Sequence, residues 1–282
     1  MYHEKKFAEK VAQAVKDMLP EKEVEIVKVD KNNVTLTGLY ISHKGEIGGP
    51  TIYLKFSNSL EKEIKRVVEL YESIKIDGDI MNNAKTVMQS KEEVLKKIQP
   101  YVAHEINGWV RELPGRRVAE DLVLYYSCVV RETEEEFSQR SAVKITSEMA
   151  KKLSITEKEL YEAAKNNFKP QKKDMADIGK LAGEEIPDSV MFVLSNEQIN
   201  NGAAGTLAYK FFLEELAKEQ GNLIIIPSSV HECIVLREEG TEVEYYEDML
   251  RLTNMYQLSE EEVLSYSLYL YDKETHEIRI YQ

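Results

Sequence analysis

The densest group of reactive side chains lies in the segment PSSVHE at 227–232, between two apolar runs that each predict a strand. Ser229 and His231 are two residues apart, which on extended backbone places both side chains on the same side. An imidazole beside a hydroxyl can take its proton and make it a nucleophile, and Glu232 can orient the imidazole. The segment therefore offers Ser229, His231 and Glu232 as catalytic candidates of a hydrolase.

The same segment also has a structural interpretation. A Pro-Ser-Ser turn can satisfy its own backbone groups through the hydroxyls of Ser228 and Ser229, and His231 would then pack at a sheet edge. The nucleophile of many hydrolases lies on a strand-to-helix turn and takes its base from a separate element, and the sequence contains no GxSxG. These points favour the structural interpretation.

A second polar segment, SNEQINNGAAGT at 195–206, lies between runs that predict a strand and a helix. Its small residues Gly202 and Ala203 would let an anion approach the backbone N–H groups at the start of that helix. Close packing of the helix on the strand requires small residues as well, and neither GxxxxGK[ST] nor GxGxxG is present. With Asn196 near its start, the segment is a candidate binding loop.

Metal and cofactor sites have little support in the sequence. Four of the five histidines are followed by Glu, but none belongs to an HExxH motif, and adjacent residues on one element do not face the same ion. We therefore expect neither a metal nor a cofactor. Arg116 and Arg117 could clamp a carboxylate or a phosphate, but their short spacing to Glu120 and Asp121 favours pairing with those two residues.

The elements that position these segments follow from hydrophobic periodicity. Residues 3–18 repeat apolar side chains at helical spacing. Two alternating stretches around Lys31-Asn32-Asn33, followed by TIYLKF at 51–56, predict a three-stranded antiparallel meander, and residues 60–74 return to helical spacing. We predict an N-terminal α+β unit, helix, meander and helix, over residues 1–78.

The rest of the chain, 79–282, predicts a larger α+β domain, either separate from the first or continuous with it. An interrupted helical pattern over 79–113 precedes a strongly apolar strand at 121–130, and from residue 190 strands interleave with helices. The Lys-rich stretch 166–185 is the best candidate for a linker or an exposed excursion. Because tight turns join at least two strand pairs, we predict an α+β fold with mixed, largely antiparallel sheets packed with amphipathic helices.

The composition restricts the functions that are open to the protein. The 282 residues include 37 Lys and Arg against 50 Asp and Glu, a formal net charge of −13. A surface of that sign repels phosphate, so we expect no direct nucleic-acid binding. No apolar stretch approaches about 18 residues, so we expect no membrane association and a cytoplasmic location. Cys128 and Cys233 lie in apolar runs and predict buried thiols.

Four stretches carry a resemblance to a known family: residues 37–54, 113–130, 191–205 and 223–236, the last reading LIIIPSSVHECIVL. In order along nearly the whole chain, they resemble an uncharacterised bacterial family, a domain of unknown function. The resemblance implies no activity, fold or cofactor. Its pattern often has His where this sequence has Arg116. The residues that fall in its signature are Asn196, Gly202, Ala203, Pro227, Ser228, Ser229, His231 and Glu232.

Three functions remain open from the sequence. The first is a cytoplasmic binding or regulatory protein whose polar cleft, formed by the 196–206 loop and the 227–232 turn, recognises a small molecule or a partner protein. The second is the hydrolase, and the third is an acidic inhibitor from a mobile element that binds a nucleic-acid-handling protein. We favour the first, because it requires no reactive constellation. Its predicted ligand-binding residues are Asn196, Gly202, Ala203, Ser228, Ser229 and His231.

Overall fold

The computed structural model describes residues 2–44, 49–73, 86–132, 140–177 and 191–282. The chain divides into two compact units, Met1–Lys85 and Thr86–Gln282. The boundary that the sequence predicts, after residue 78, falls outside the described residues. Helices pack with antiparallel sheets in both units, which confirms the α+β class.

The N-terminal unit consists of α1 (Tyr2–Met18), β1 (Lys22–Asp30), β2 (Thr35–His43), β3 (Thr51–Tyr53) and α2 (Leu60–Ser73). β1 and β2 pair antiparallel over their full lengths, around a turn in which Asn33 has a φ of 58°. β3 adds to the other edge of β2. Both helices turn their apolar faces to this sheet, so that Val11, Leu39 and Val67 meet in one fully buried core.

A buried carboxylate fixes the loop between β3 and α2. Glu63 is fully buried. Its oxygens accept hydrogen bonds from the N–H of Lys55 (2.8 Å), the amide of Asn58 (2.6 Å) and the guanidinium of Arg66 (3.0 Å). Burial raises the pKa of Glu63, but these bonds outweigh it and lower the pKa to about 2. The conformation of the loop therefore depends on an ionised Glu63.

The described residues of the larger unit form two sheets, the first of which has four strands. They are β4 (Ile98–His104), β5 (Gly115–Arg117), β6 (Leu122–Glu132) and β7 (Arg140–Lys144). β6 pairs antiparallel with each of the others, with β4 along one edge and with β5 and then β7 along the opposite edge. β6 corresponds to the apolar strand that the sequence predicts at 121–130.

Part of the stretch that the sequence predicts as helical is a strand. α3 (Lys91–Lys97) begins at Ser90, whose hydroxyl accepts the N–H of Glu93 (3.3 Å), and it ends before β4, which contains Pro100. Proline cannot continue a helix, whereas a strand at the edge of a sheet tolerates the missing N–H. The helical expectation for 79–113 is therefore wrong over 98–104.

The second sheet has six strands in the order β13-β12-β10-β11-β9-β8, and each neighbouring pair is antiparallel. The strands are β8 (Pro170–Asp174), β9 (Met191–Asn196), β10 (Leu223–Ile226), β11 (Cys233–Arg237), β12 (Tyr269–Tyr271) and β13 (Ile278–Ile280). All four residues of β10 are apolar and buried, so this central strand is covered on both faces.

Further helices of the larger unit pack with the two sheets. They are α4 (Ser147–Lys152), α5 (Glu157–Asn167), α6 (Ala203–Tyr209), α7 (Leu213–Gln220) and α8 (Val243–Tyr256). The main core joins the two sheets of this unit with α5, α6 and α7, and includes Leu223 and Ile225 of β10. On the opposite face, Ile224 and Ile226 pack with Leu250 of α8.

The Lys-rich stretch 166–185 is not simply a linker. Residues 170–174 form β8, which pairs with β9 at the edge of the six-stranded sheet. A proline and lysines on an edge strand discourage pairing with another chain, so the polar composition is suited to this position. The expectation of a linker is wrong for β8, and residues 178–185 lie outside the described part of the chain.

Candidate functional site

The two polar segments meet at one end of the six-stranded sheet. β9 and β11 are neighbouring strands, so the segment that follows β9 and the turn that precedes β11 lie side by side. We call residues 195–206 and 227–232 together the loop–turn region. Three hydrogen bonds join them: Ser195 Oγ to the carbonyl of His231 (2.7 Å), the N–H of Asn201 to His231 Nδ1 (3.1 Å), and the N–H of Ala203 to the carbonyl of Val230 (3.3 Å).

Gly202 lies where the two segments approach most closely. A Cβ at this position would lie under 3.0 Å from the carbonyl oxygen of His231 and from Ser195 Oγ, and 2.8 Å from the backbone nitrogen of Asn196. Two of these neighbours are backbone atoms, so a larger residue fits only if the backbone moves. Gly202 is buried, and its lack of a side chain permits this close packing.

Asn196 closes the loop that follows β9. Its buried amide donates to the carbonyl of Asn200 (2.7 Å) and accepts the N–H of the same residue (2.9 Å). Within this loop Ile199 has a φ of 47°, a left-handed conformation that is rare for a β-branched residue. The side chain of Ile199 is 52% exposed. Asn196 thus holds an exposed apolar side chain on a strained backbone.

The start of α6 favours the packing interpretation of this segment. The N–H groups of residues 203–205 already donate to backbone carbonyls, at 3.3, 3.4 and 3.0 Å. None of these three groups is left for an anion. Gly205 lies directly under the ring of Phe168, where a Cβ would clash. Ala203, which the sequence offers as a ligand contact, is fully buried.

In the turn 227–232, Ser229 and His231 do not bond through their side chains. Ser229 is buried, and its Oγ accepts the backbone N–H of His231 (3.0 Å). His231 Nε2 faces Glu262 Oε1 at 3.7 Å, while Nδ1 accepts the N–H described above. Ser228 Oγ donates to the carbonyl of Glu232 (3.2 Å). The serines form the turn, and the imidazole nitrogens point to other partners.

Glu262 belongs to this surface, and the sequence analysis missed it. It follows α8 in a turn, where its carboxylate accepts the hydroxyl (2.8 Å) and the N–H (3.0 Å) of Ser259. These two bonds, with a smaller contribution from neighbouring His231, lower the pKa of Glu262. Its carbonyl also accepts the N–H of Val230 (2.9 Å). The Ser-x-x-Glu spacing indicates only the local bonds, not the contact with a distant turn.

A family model matches residues 4–273, and its description is a family of unknown function, DUF5688. The chain belongs to DUF5688. The expected resemblance to an uncharacterised family is therefore confirmed. A search of curated proteins and a search of solved structures found no match to this DUF5688 chain.

The first of the two adjacent arginines binds a carboxylate of the DUF5688 protein itself. Arg116 forms two hydrogen bonds to Glu157, at 2.9 and 2.6 Å, and Tyr126 donates to the same carboxylate. The guanidinium lies 3.6 Å from the ring centre of Tyr161. Burial raises the pKa of Glu157, but the bonds from Arg116 and Tyr126 lower it below its ordinary value. The clamp is structural.

The second arginine and the expected acidic partners are arranged differently from the prediction. Arg117 pairs with Glu105 (2.6 Å). Asp121 accepts the hydroxyl of Tyr269 (2.8 Å) and contacts His104 (3.2 Å). The expectation that Arg116 and Arg117 pair with Glu120 and Asp121 is therefore wrong, because residues distant in sequence supply their carboxylates.

Two further observations concern other kinds of site in the DUF5688 protein. Among the described residues, no group of three His, Cys, Asp or Glu side chains could hold a metal ion, and no described helix is long and apolar enough to cross a membrane. Cys128 and Cys233 are buried free thiols, as predicted. Burial raises the pKa of Cys128 to about 11, so this thiol stays protonated at neutral pH.

Proposed function

We propose that this DUF5688 protein is a binding protein of the bacterial cytoplasm that recognises its partner through the loop–turn region and carries out no reaction on it. The observation that carries the proposal is Ile199, an exposed apolar side chain held at a left-handed φ. Such backbone costs of order 1–3 kcal/mol and persists only where the surroundings impose it. An anchor that is ordered before binding loses little conformational entropy when a partner arrives.

A polar pair beside this anchor supports the proposal. The N–H of Asn201 donates to His231 Nδ1, which leaves the ring proton on Nε2, toward Glu262. The orientation of the imidazole is thus set by the same loop that carries Ile199. An apolar anchor with satisfied polar neighbours is the usual composition of a protein-binding surface, so we favour a partner protein over a small molecule.

The residues that would contact the partner differ in part from those that the sequence suggests. Four of the six candidates, Asn196, Gly202, Ala203 and Ser229, are buried and hold the loop and the turn together. Ser228 and His231 are half-buried and remain as contacts, joined by Ile199 and Glu262. The hydrolase interpretation has no support in the bonding of Ser229 and His231.

The experiment is site-specific photo-crosslinking in a bacterial cytoplasm. A benzophenone amino acid replaces Ile199 in one variant and Ile106 in a control, since Ile106 is 76% exposed and lies outside the loop–turn region. We expect a discrete crosslinked product at position 199 that is absent at position 106 and weakened by His231→Ala. Equal crosslinking at both positions would remove the proposal. Native mass spectrometry gives the alternative outcome. A small molecule that co-purifies with the wild type and is lost in His231→Ala would mean that the region binds a small-molecule ligand and not a protein.

A further inference from the structure

More than half of the net charge of the chain lies in one short stretch outside the loop–turn region and its contacts. Residues 238–261 contain eight Asp and Glu and a single Arg, a net charge of −7, against −13 for the whole chain. α8 occupies the middle of this stretch. The one basic residue, Arg251, is paired with Asp248 at 2.8 Å. The outer side of α8 is therefore strongly acidic.

Only some of the apolar residues of α8 lie on its inner side, which faces the six-stranded sheet. Val243, Tyr246, Met249 and Leu250 pack on the six-stranded sheet. Four large apolar side chains of α8 remain in solvent, with exposed fractions of 63% for Tyr245, 48% for Leu252, 56% for Met255 and 76% for Tyr256. A surface helix of a soluble domain ordinarily carries polar residues on its solvent-facing side.

The side chains of Tyr245, Leu252 and Tyr256 form one stripe along the helix. At about 100° per residue, positions 245, 252 and 256 fall within about 40° of each other around the axis. Tyr245 is also held in place, because its ring packs edge-on against Tyr246 with the ring centres 5.2 Å apart. The stripe runs almost the full length of α8, about 21 Å for 14 residues.

The charge around the stripe determines which occupant fits. Exposed Asp248 and Glu244 lie on one side of it, about 60° and about 100° around the helix axis from Tyr245. A second copy of this chain would bring the same carboxylates against them, and an anionic membrane would be repelled in the same way. A basic amphipathic helix places apolar side chains on the stripe and Lys or Arg beside the carboxylates.

We propose that the outer face of α8 is a docking surface for a basic amphipathic helix of another protein, about four turns long. The apolar stripe supplies the affinity, and the carboxylates supply the choice of partner and a fast encounter. The surface uses none of the residues that bind the partner in the loop–turn region, so the two proposals are tested independently.

The probe is a fluorescein-labelled synthetic peptide of about 14 residues with Leu on one helical face and Lys on the others, titrated with the full chain and followed by fluorescence anisotropy at physiological salt. Its control is a scrambled peptide of the same composition, which keeps the charge and loses the apolar face. We expect the amphipathic peptide to bind about tenfold more tightly than the scrambled one, a difference of about 1.4 kcal/mol.

Variants of the protein locate the binding. We expect Tyr245→Ser with Tyr256→Ser to weaken binding about tenfold, and Glu244→Gln with Asp248→Asn to weaken it and to reduce its dependence on salt. The matched control is Tyr266→Ser, because Tyr266 is 64% exposed but lies outside α8. Tyr266→Ser and Ile199→Asp should each leave the affinity within about twofold.

Three results would overturn the proposal. The first is equal affinity for the two peptides, which would mean plain charge attraction. The second is unchanged affinity in the Tyr245 and Tyr256 double variant. The third is a homodimer in sedimentation velocity that the same double variant abolishes, since the occupant would then be a second copy.

Discussion

Two loops of the molecule are each closed by one buried side chain, and the two side chains differ in charge. In the N-terminal unit, Glu63 holds the loop before α2 through an ionised carboxylate. In the larger unit, Asn196 holds the loop after β9 through a neutral amide. Protonation can release the first and cannot affect the second. We conclude that acid releases the loop before α2, whereas the hydrogen bonds of Asn196 that close the loop after β9 persist in acid.

The largest effect is expected where no charge is involved. Gly202→Ala places a Cβ against backbone atoms of both segments, and we expect it to destabilise the larger unit by about 3 kcal/mol. The lone Trp109, which packs edge-on against Tyr125 at 5.1 Å, reports on this unit in urea unfolding followed by fluorescence. Gly108→Ala is the control, because its Cβ would meet nothing within 4 Å. Equal losses in the two variants would contradict the close approach.

The acid-sensitive loop is tested with Glu63→Gln. We expect this variant to lower the free energy of unfolding of the N-terminal unit by about 2 kcal/mol at neutral pH. The pKa of Glu63 is about 2 in the folded protein against an ordinary value of 4.5, so its contribution is present above pH 4.5 and is lost as the pH falls toward 2. The variant and the wild type should therefore converge in acid.

Hydrogen exchange of peptides from α2, measured in urea at neutral pH and near pH 3, follows the N-terminal unit alone. Glu61→Gln is the control, since Glu61 lies on the same helix and is exposed. A difference between wild type and Glu63→Gln that stays constant with pH would show that the carboxylate does not hold the loop through its charge.

A smaller loss is expected from Asn196→Ala, about 1.5 kcal/mol, because two buried hydrogen bonds are removed. In contrast to Glu63→Gln, this loss in the free energy of unfolding should be the same at neutral pH and near pH 4, as measured by Trp109 fluorescence in urea. Crosslinking from position 199 should also weaken, since the loop is no longer held. A loss that changes with pH would refute the contrast with Glu63.

The smallest effect is expected from Arg116→Lys, about 1 kcal/mol, because Lys keeps the charge but loses the two-pronged bond to Glu157 and the packing on Tyr161. This ion pair is partly exposed, so high salt should reduce the difference in urea unfolding. A loss as large as that of Glu63→Gln would mean that the partly exposed carboxylate of Glu157 contributes as much to stability as the buried carboxylate of Glu63.

The sequence predicts local structure well where the pattern of apolar residues shows which faces of an element are buried. Alternation in β1 and β2 identifies a hairpin, and the unbroken apolar run of β10 identifies a strand that is covered on both faces. Pro100 indicates that a helix cannot continue past it. Whether the chain forms a strand there depends on pairing with β6, which lies further along the chain.

The candidate site is less predictable, because contacts across the sheet create it. The segments of the loop–turn region are identifiable as polar stretches, but only the pairing of β9 with β11 brings them together. Glu262 and Glu157 reach His231 and Arg116 from distant elements, and no local spacing indicates these contacts. The burial of Asn196 and Ser229 likewise follows from packing rather than from residue type.

The position of the 227–232 turn has a consequence for how the protein reaches its native state. This turn connects β10 and β11, the two central strands of the six-stranded sheet, and the remaining strands add outward on either side. A hairpin closes within microseconds, whereas pairings between distant strands pay a larger loop-closure cost. We expect the sheet to nucleate here, so that substitutions in the turn slow refolding while substitutions in β8 or β13 mainly speed unfolding.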